Sequence, residues 1–359
     1  MEFKNAKGRD LKNNEYAFLI KNQLKGFPFV IEASDSDGLL SEFINSEKQK
    51  IEIALANHGA ILFRNFKVST AEEFEKSLLE FGLVMHADAY SKGGGLTQRK
   101  KIKNNVYSST ETSNESPIYF HNEMAYANTR PTIISFYAHL SPNLYGETPI
   151  SDGAKVYAGL SGETQQILKS HKLIYRRIYK KSNKHFFLNV LQASIKQAFG
   201  TEDADTIAKI CQTSDFEHKW INDNTLQVDS KVSAVVTNPR TNSYALNLQL
   251  LSRDLYMKQF NMIKERHSFW KRWIMKLKME LYFYCKLAPI SIMSDDGKPL
   301  PKKMLFELFE LVNSNACYFK WQKDDVLLLD NTRCLHARLN VEGERKIYTC
   351  FGNMHNFNI

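Results

Sequence analysis

The sequence predicts a mainly β fold with helices packed outside it, built as one domain. Short apolar runs recur along the chain, as in AILFRNF (Ala60–Phe66), the β-branched and aromatic PTIISFYAHL (Pro131–Leu140) and DDVLLLDN (Asp324–Asn331). Only one stretch sustains a long helical period. No internal repeat or low-complexity linker divides the 359 residues, a length that suits one β-rich enzyme domain with insertions.

In chain order, residues 1–25 are rich in Lys and Asn and read as a basic segment, flexible or peripheral; residues 26–359 read as the domain. Ala60–Phe66 is a short buried strand. The stretch STAEEFEKSLLEFG follows as a helix, capped by Ser69 or Thr70, with Glu72 and Glu73 in its first turn and Gly82 at its end. Ser91–Lys103, with its KGGG, reads as a basic loop, better suited to a lid than to a phosphate cradle because it does not join a strand to a helix. Pro131–Leu140 is a strand, Ala154–His171 a helix, Lys172–Lys181 a strand and Asp203–Gln212 a short helix. Lys231–Gln249 reads as strand, turn and strand, the turn at Asn238–Ser243. Asp324–Asn331 and Arg345–Asn353 are strands joined through TRCLHARLNVEGE.

The long helical pattern runs from Tyr256 to Tyr284, within a basic helical insertion at about 255–285. Ile263, Trp270, Ile274, Leu277 and Leu281 fall on one face, and Lys258, Lys264, Arg266, Lys271, Arg272, Lys276 and Lys278 occupy other positions. Such a helix suits a membrane or partner surface; the plainer expectation is an apolar face on the core and a solvated basic face.

Hydrophobic residues make up 43% of the chain and charged residues 24%, ordinary for a globular protein that buries a core without disulfide or metal staples. The net charge of +9 favours acidic partners or anionic substrates, though a solvated basic surface is the simpler reading. The five cysteines are scattered and form no CxxC pair, which fits reduced thiols in a cytoplasmic protein. No apolar signal core and no run of about 18 apolar residues occurs, so no transmembrane helix is expected. The basic residues are dispersed and no nucleic-acid motif is present, so a nucleic-acid partner is not expected.

Chemistry concentrates in YFHNEMAY (Tyr119–Tyr126), which holds His121 and Glu123 one residue apart; MHADAY repeats that spacing with His86 and Asp88. On a strand, residues i and i+2 share a face, so an imidazole and a carboxylate there can hold one metal. A second His from a distant strand completes a two-His-one-carboxylate face, the arrangement of non-haem Fe(II) oxygenases, although zinc uses similar ligands. An acidic residue follows a His at this spacing by chance about one time in ten, so neither pair decides alone.

The wider context separates the two pairs. YGETPISD follows Glu123, and LLLDNTRCLHARLNVEGERKI lies near the C-terminus. This set resembles the Fe(II)/2-oxoglutarate dioxygenases of the taurine dioxygenase (TauD/TfdA) family, in particular the amino-acid hydroxylase branch of syringomycin and clavam biosynthesis. That branch reads H-N-E-M-x-Y, G-E-T-P-I-x-D, D-N-x-x-x-x-H-x-R and G-x-R-K-I. NHGAILFRNF, NNVYSST, QAFGTED and TNPRTNSYALN resemble family segments in the same order, so the likeness covers roughly residues 50–354.

The resemblance implies a double-stranded β-helix (jelly-roll) core as in clavaminate synthase-like proteins. It implies His121, Glu123 and His336 as iron ligands, Thr148 and Arg345 as contacts to 2-oxoglutarate, and Arg338 as a second anionic contact. Arg99, Tyr107 and Asn247 are candidate substrate residues by their place in family-like segments, while His86 and Asp88 fall outside the motif. A guanidinium fork suits the distal carboxylate because two parallel charge-assisted hydrogen bonds fix its plane. The implied reaction consumes O2 and 2-oxoglutarate, releases succinate and CO2, and hydroxylates an unactivated C–H bond. The substrate class it implies is a small molecule such as an amino acid, free or tethered to a carrier protein.

Halogenating relatives carry a small residue in place of the carboxylate, so Glu123 favours hydroxylation or another halide-free oxidation. Two departures stand out: Tyr145-Gly146-Glu147 replaces a common Gly-Gly-Glu, and Asp324-Asp325 a common Gly-Asp. The competing expectations are an oxygenase for a small sulfonate or other organic acid, and a non-catalytic binding module on the same barrel.

Overall fold

The computed structural model describes residues 2–17, 24–85, 99–109, 117–142, 144–181, 193–249, 252–284 and 290–358. Two β-sheets face each other across the centre. The larger has nine strands, in the order Glu2–Phe3, Ala6–Arg9, Phe29–Ala33, Ala60–Arg64, Val326–Asp330, Thr129–Leu140, Lys346–Asn356, Val106–Ser108 and Lys101–Lys103. The smaller has four: Ala316–Cys317, Ile150–Asp152, Cys334–Arg338 and Ile118–His121. This is the jelly-roll core expected from the resemblance.

The apolar runs of the central strands follow from burial on both faces. In Ala60–Arg64, Leu62 points into the space between the sheets with Ile134, Leu327, Phe319 and Phe351. Its neighbours Ile61 and Phe63 point outward, beneath Phe43, Ile44, Phe74 and Leu78 of two covering helices. Val326–Asp330 alternates likewise, with Leu327 and Leu329 inward and Val326 and Leu328 outward. The first covering helix, Leu40–His58, connects the parallel strands Phe29–Ala33 and Ala60–Arg64 and ends on Gly59, whose φ of 75° the left-handed C-cap requires. The second, Ala71–Glu80, starts at Thr70, whose hydroxyl accepts from the Glu73 amide as the sequence suggests.

A third sheet (Glu217–Asn222, Thr225–Ser233, Lys172–Lys180 and Ile290–Ser294) packs with helix Lys302–Ser314 on the far side of the smaller sheet. Buried ion pairs tie the N-terminal segment to the core. Arg64, 1% exposed, forks onto Asp325 at 3.0 and 2.7 Å and reaches Glu15 at 2.8 Å. Asp324 sits at φ 67°, a left-handed conformation that glycine adopts without strain.

Several sequence expectations need correction. Ala154–His171 is two helices, Gly153–Gly159 and Gly162–Ser170, because Leu160 is extended and Ser161 starts a new cap. The TRCLHARLNVEGE link contains the strand Cys334–Arg338. The end of the Ser91–Lys103 loop is the strand Lys101–Lys103, and the rest of that loop up to position 98 lies outside the described residues.

The long helical pattern is two helices, Arg253–Ile263 and Phe269–Tyr284, separated by a 3-10 turn at Lys264–Arg266 and an extended His267. Ile263 is buried, but Trp270, Ile274, Leu277 and Leu281 are exposed, so the second helix does not lay its apolar face on the core. No helix among the described residues is long and apolar enough to cross a membrane.

Candidate active site

The smaller sheet sets the site's geometry through its register. His336 on Cys334–Arg338 lies directly opposite His121 on one neighbouring strand and opposite Ile150 on the other. The two imidazole centroids are 4.3 Å apart. His336 is 4% exposed and packs against Phe136 of the larger sheet, so it points between the sheets.

Glu123 reaches the pair differently from the expected strand-borne His-x-Glu. His121 is the last residue of its strand, and Glu123 lies in the turn beyond it. Met124 is left-handed there, at φ 57°. Asn331 holds this turn: its side-chain oxygen accepts the Glu123 amide at 2.8 Å, and its NH2 donates to the carbonyls of Glu123 and Pro131. Asn122 closes the same arrangement, donating to the Asn331 and Cys334 carbonyls and accepting from the Leu248 amide.

A ligand atom from each of His121, Glu123 and His336 lies within 4.8 Å of the others. The Glu123 Oε2 to His336 Nε2 distance is 3.8 Å. Ligands about 2.1 Å from one ion and at right angles are about 3 Å apart, so a small inward movement brings these atoms onto a metal. Electrostatics agree. Burial holds His121 below its ordinary pKa despite the pull of Glu123. Burial, reinforced by His121 and Arg99, holds His336 well below it. Both rings are therefore neutral at pH 7 and offer lone pairs.

His121 Nδ1 lies 2.9 Å from the Tyr119 carbonyl. Donation to that oxygen fixes the tautomer that leaves Nε2 for a metal. His336 Nδ1 is buried with no hydrogen-bond partner among the described residues. The donor set fits a divalent transition metal such as Fe(II).

Beside this cluster Thr148, Arg338 and Arg345 come together. The Ile150–His336 register, continued two residues, sets Thr148 opposite Arg338; the backbone bonds from Ala337 to Pro149 and from Leu339 to Glu147 continue that pairing. Thr148, Arg338 and His336 thus share one face, about 7 Å separating positions 336 and 338 along the strand. Thr148 Oγ1 accepts from Arg345 Nη2 at 2.9 Å and from Trp321 Nε1 at 3.0 Å. With both acceptor sites used, its O–H remains to donate.

Two more Arg345 N–H groups donate to the Gly146 carbonyl and the Ser109 hydroxyl. All three acceptors are neutral. Burial and the neighbouring Arg338 push the Arg345 pKa down to about 9, and burial pushes that of Arg338 to about 10. Two desolvated guanidiniums side by side call for a carboxylate.

The substrate candidates divide. Arg99 is buried and donates to Glu123 Oε2 at 2.7 Å, so it belongs to the site. Tyr107 lies on a neighbouring strand, its ring packed with Phe351. Asn247 instead braces the turn after Glu123, donating to the carbonyls of Ala125 and Ser233. His86 and Asp88 lie outside the described residues.

Sequence reasoning missed Asn331, Trp321, Ser109 and Arg266. Asn331 had a signal, since it stands within the DN motif. Arg266 had none: it comes from the turn between the two helices and forks onto buried Glu147 at 2.9 and 2.8 Å, with its guanidinium 4.1 Å from the Tyr145 ring. The Tyr145-Gly146-Glu147 departure is thereby the docking point of the helical pair.

A family model for the taurine catabolism dioxygenase TauD, TfdA family matches residues 23–351. Dapdiamide synthesis protein DdaC of Enterobacter agglomerans is 26% identical over 339 residues, 92% of this chain and 93% of that protein. A clavaminate synthase-like protein of Arabidopsis thaliana is 25% identical over 313 residues, 86% of each chain. Among solved structures, PvcB of Pseudomonas aeruginosa superposes with a TM-score of 0.53 at 11% identity, over 98% of this chain and 93% of that one. Another structure of PvcB, described as an Fe, alpha-ketoglutarate dependent oxygenase from an isonitrile synthetic pathway, covers 100% of this chain and 96% of its own at a TM-score of 0.54 and 11% identity. The protein belongs to the TauD/TfdA family and is a 2-oxoglutarate-dependent dioxygenase that uses iron, 2-oxoglutarate and O2.

Proposed function

We propose that this dioxygenase hydroxylates an unactivated C–H bond of an amino acid or related small molecule, free or carrier-tethered. His121, Glu123 and His336 hold the iron, while Arg345 and Thr148 hold the distal carboxylate of 2-oxoglutarate. The observation that carries the assignment is the shared face: the His336 strand presents a metal-ligand cluster at one position and the Thr148–Arg338–Arg345 cradle one step further along. That separation suits a dicarboxylate chelating metal at one end and gripped at the other.

Arg345 supplies the plane, Thr148 the remaining O–H donor, and Trp321 fixes the threonine rotor. Iron supplies the oxygen chemistry when bound. Around it Asn331 and Asn122 set the ligand turn, and Phe136 keeps one side dry. Arg99 pairs with Glu123 and orients its carboxylate. The amino-acid reading draws support from the H-N-E-M-x-Y and G-E-T-P-I likeness, and a biosynthetic role from a relative named for dapdiamide synthesis.

The test is anaerobic titration with Fe(II) and 2-oxoglutarate, followed by succinate release against a panel of free amino acids, carrier-loaded amino acids and taurine. A visible charge-transfer band that His336→Ala abolishes, with amino-acid-dependent succinate, is expected. A band that survives in His336→Ala overturns the ligand assignment. Succinate coupled to taurine alone overturns the amino-acid reading.

A further inference from the structure

The helix Phe269–Tyr284 carries an apolar stripe that the protein does not cover. Trp270, Trp273, Ile274, Leu277 and Leu281 are 71%, 56%, 44%, 50% and 58% exposed. At about 100° per residue they fall within a sector of about 100°, one side of the helix and about 16 Å long. Phe269, 70% exposed, stands at the start of the same helix. Of the thirteen large hydrophobic side chains exposed among the described residues, these six sit on one helix. Isolated exposed apolar residues are ordinary, but a continuous row of this kind marks a contact surface.

Contacts beside and behind the stripe anchor the helix. Glu280 accepts a fork from Arg253 at 2.9 and 2.6 Å. Arg272 reaches Glu265 and the His267 carbonyl. The turn before the helix is clamped by Arg266 on Glu147. The stripe is therefore held facing outward. Exposed Lys271 and Lys276 lie on its two flanks, and Glu280, the one acidic residue of the helix, is engaged by Arg253.

We propose that this helix lies on an anionic phospholipid surface, with its indole and aliphatic stripe in the headgroup–acyl boundary and its lysines on lipid phosphates. The chemistry is that of an interfacial amphipathic helix: Trp, Phe and Leu on one face and Lys beside it. The shape favours a bilayer over a protein. A lone convex ridge with two tryptophans at one end matches a plane that yields to it, whereas a protein partner must supply a groove. Charge chooses the lipid: cations lie on both flanks and the one acid, Glu280, is paired with Arg253, which complements anionic headgroups. This inference is independent of the substrate assignment.

The full chain is mixed with vesicles of phosphatidylcholine alone and of phosphatidylcholine with phosphatidylglycerol. Sedimentation measures binding, and quenching of tryptophan by brominated lipid reports insertion. Binding to the anionic vesicles alone, with quenching, is expected. Each lysine near such a surface contributes a factor of about five, so Lys271→Gln with Lys276→Gln lowers the partition about 25-fold. Trp270→Ser with Trp273→Ser lowers it at least about tenfold. Both variants alter exposed side chains and keep the wild-type melting temperature and Fe(II)–2-oxoglutarate band. No binding to either vesicle, or equal binding to both, overturns the proposal. Concentration-dependent self-association that the Trp double variant abolishes, without vesicle binding, also overturns it and assigns the face to a second copy.

Discussion

The hydroxyl of Thr148 accepts a hydrogen bond from Arg345 at 2.9 Å, joining the GETPI segment to the residue that precedes the last long strand. Replacing Arg345 by Gln removes the cation and the fork while leaving the metal cluster untouched. The expected result is a KM for 2-oxoglutarate raised about 100-fold, with Fe(II) affinity within about threefold of wild type. Thr148→Val removes one donor and raises the KM about tenfold. Calorimetric titration of each variant with Fe(II), then with 2-oxoglutarate, separates the two effects. Loss of iron binding in Arg345→Gln would remove the division between cradle and metal centre.

His336→Ala and Glu123→Ala are each expected to lower Fe(II) occupancy to background by elemental analysis, and to abolish succinate formation. His86→Ala keeps wild-type occupancy, since the His86–Asp88 pair falls outside the motif. A chelator added to the wild-type protein abolishes turnover, and Fe(II) restores it. Iron lost in His86→Ala would transfer the assignment to the upstream pair.

Arg266 and Glu147 are both 7% exposed at the side chain and make a forked pair one residue from Thr148. Breaking a buried pair from one side costs about 3–5 kcal/mol, because the other charge stays buried. Arg266→Ala is therefore expected to destabilise the fold by about 3 kcal/mol in urea unfolding. Hydrogen exchange should rise across residues 253–284. The Arg266→Ala, Glu147→Ala double variant recovers part of the loss, since no orphan charge remains. A purely additive double variant would show that the pair is not coupled.

Glu15 gives a pH signature. Burial would raise its pKa, but Arg9, the Lys12 amide and Arg64 overcome this and hold it down to about 2, against an ordinary value near 4.5. The folded-state pKa is depressed, so the stabilisation is present above pH 4.5 and is lost as pH falls from 4.5 toward 2. Glu15→Gln is expected to lower the melting temperature at pH 7, and its gap from wild type should narrow across that window. A gap that stays constant from pH 7 to pH 2.5 would mean that the Glu15 charge contributes nothing.

Features that depend on neighbours in sequence were legible. Thr70 caps its helix, Ala60–Arg64 and Val326–Asp330 are strands because they are apolar throughout, and the motif histidines meet. What was not legible depends on distant partners. Glu123 sits in a turn rather than on a strand because Asn331 holds its backbone from across the sheets. Arg266 looked like one more basic helix residue, since nothing local marks Glu147 as its partner. Periodicity correctly gave Trp270 to Leu281 a common face, but it does not say what lies opposite, and the structure leaves that face to solvent.

Asn331 grips position 123 only by its main chain, taking the amide and the carbonyl and leaving the side chain alone. Position 123 is therefore a socket. Its loop conformation is set from outside, and its reactivity is set by whatever side chain is fitted there. A glycine or alanine should seat in the same loop without unfolding it, removing the carboxylate while the turn keeps its shape. The backbone and the chemistry at this corner are separable components, so one part can change while the other stays fixed.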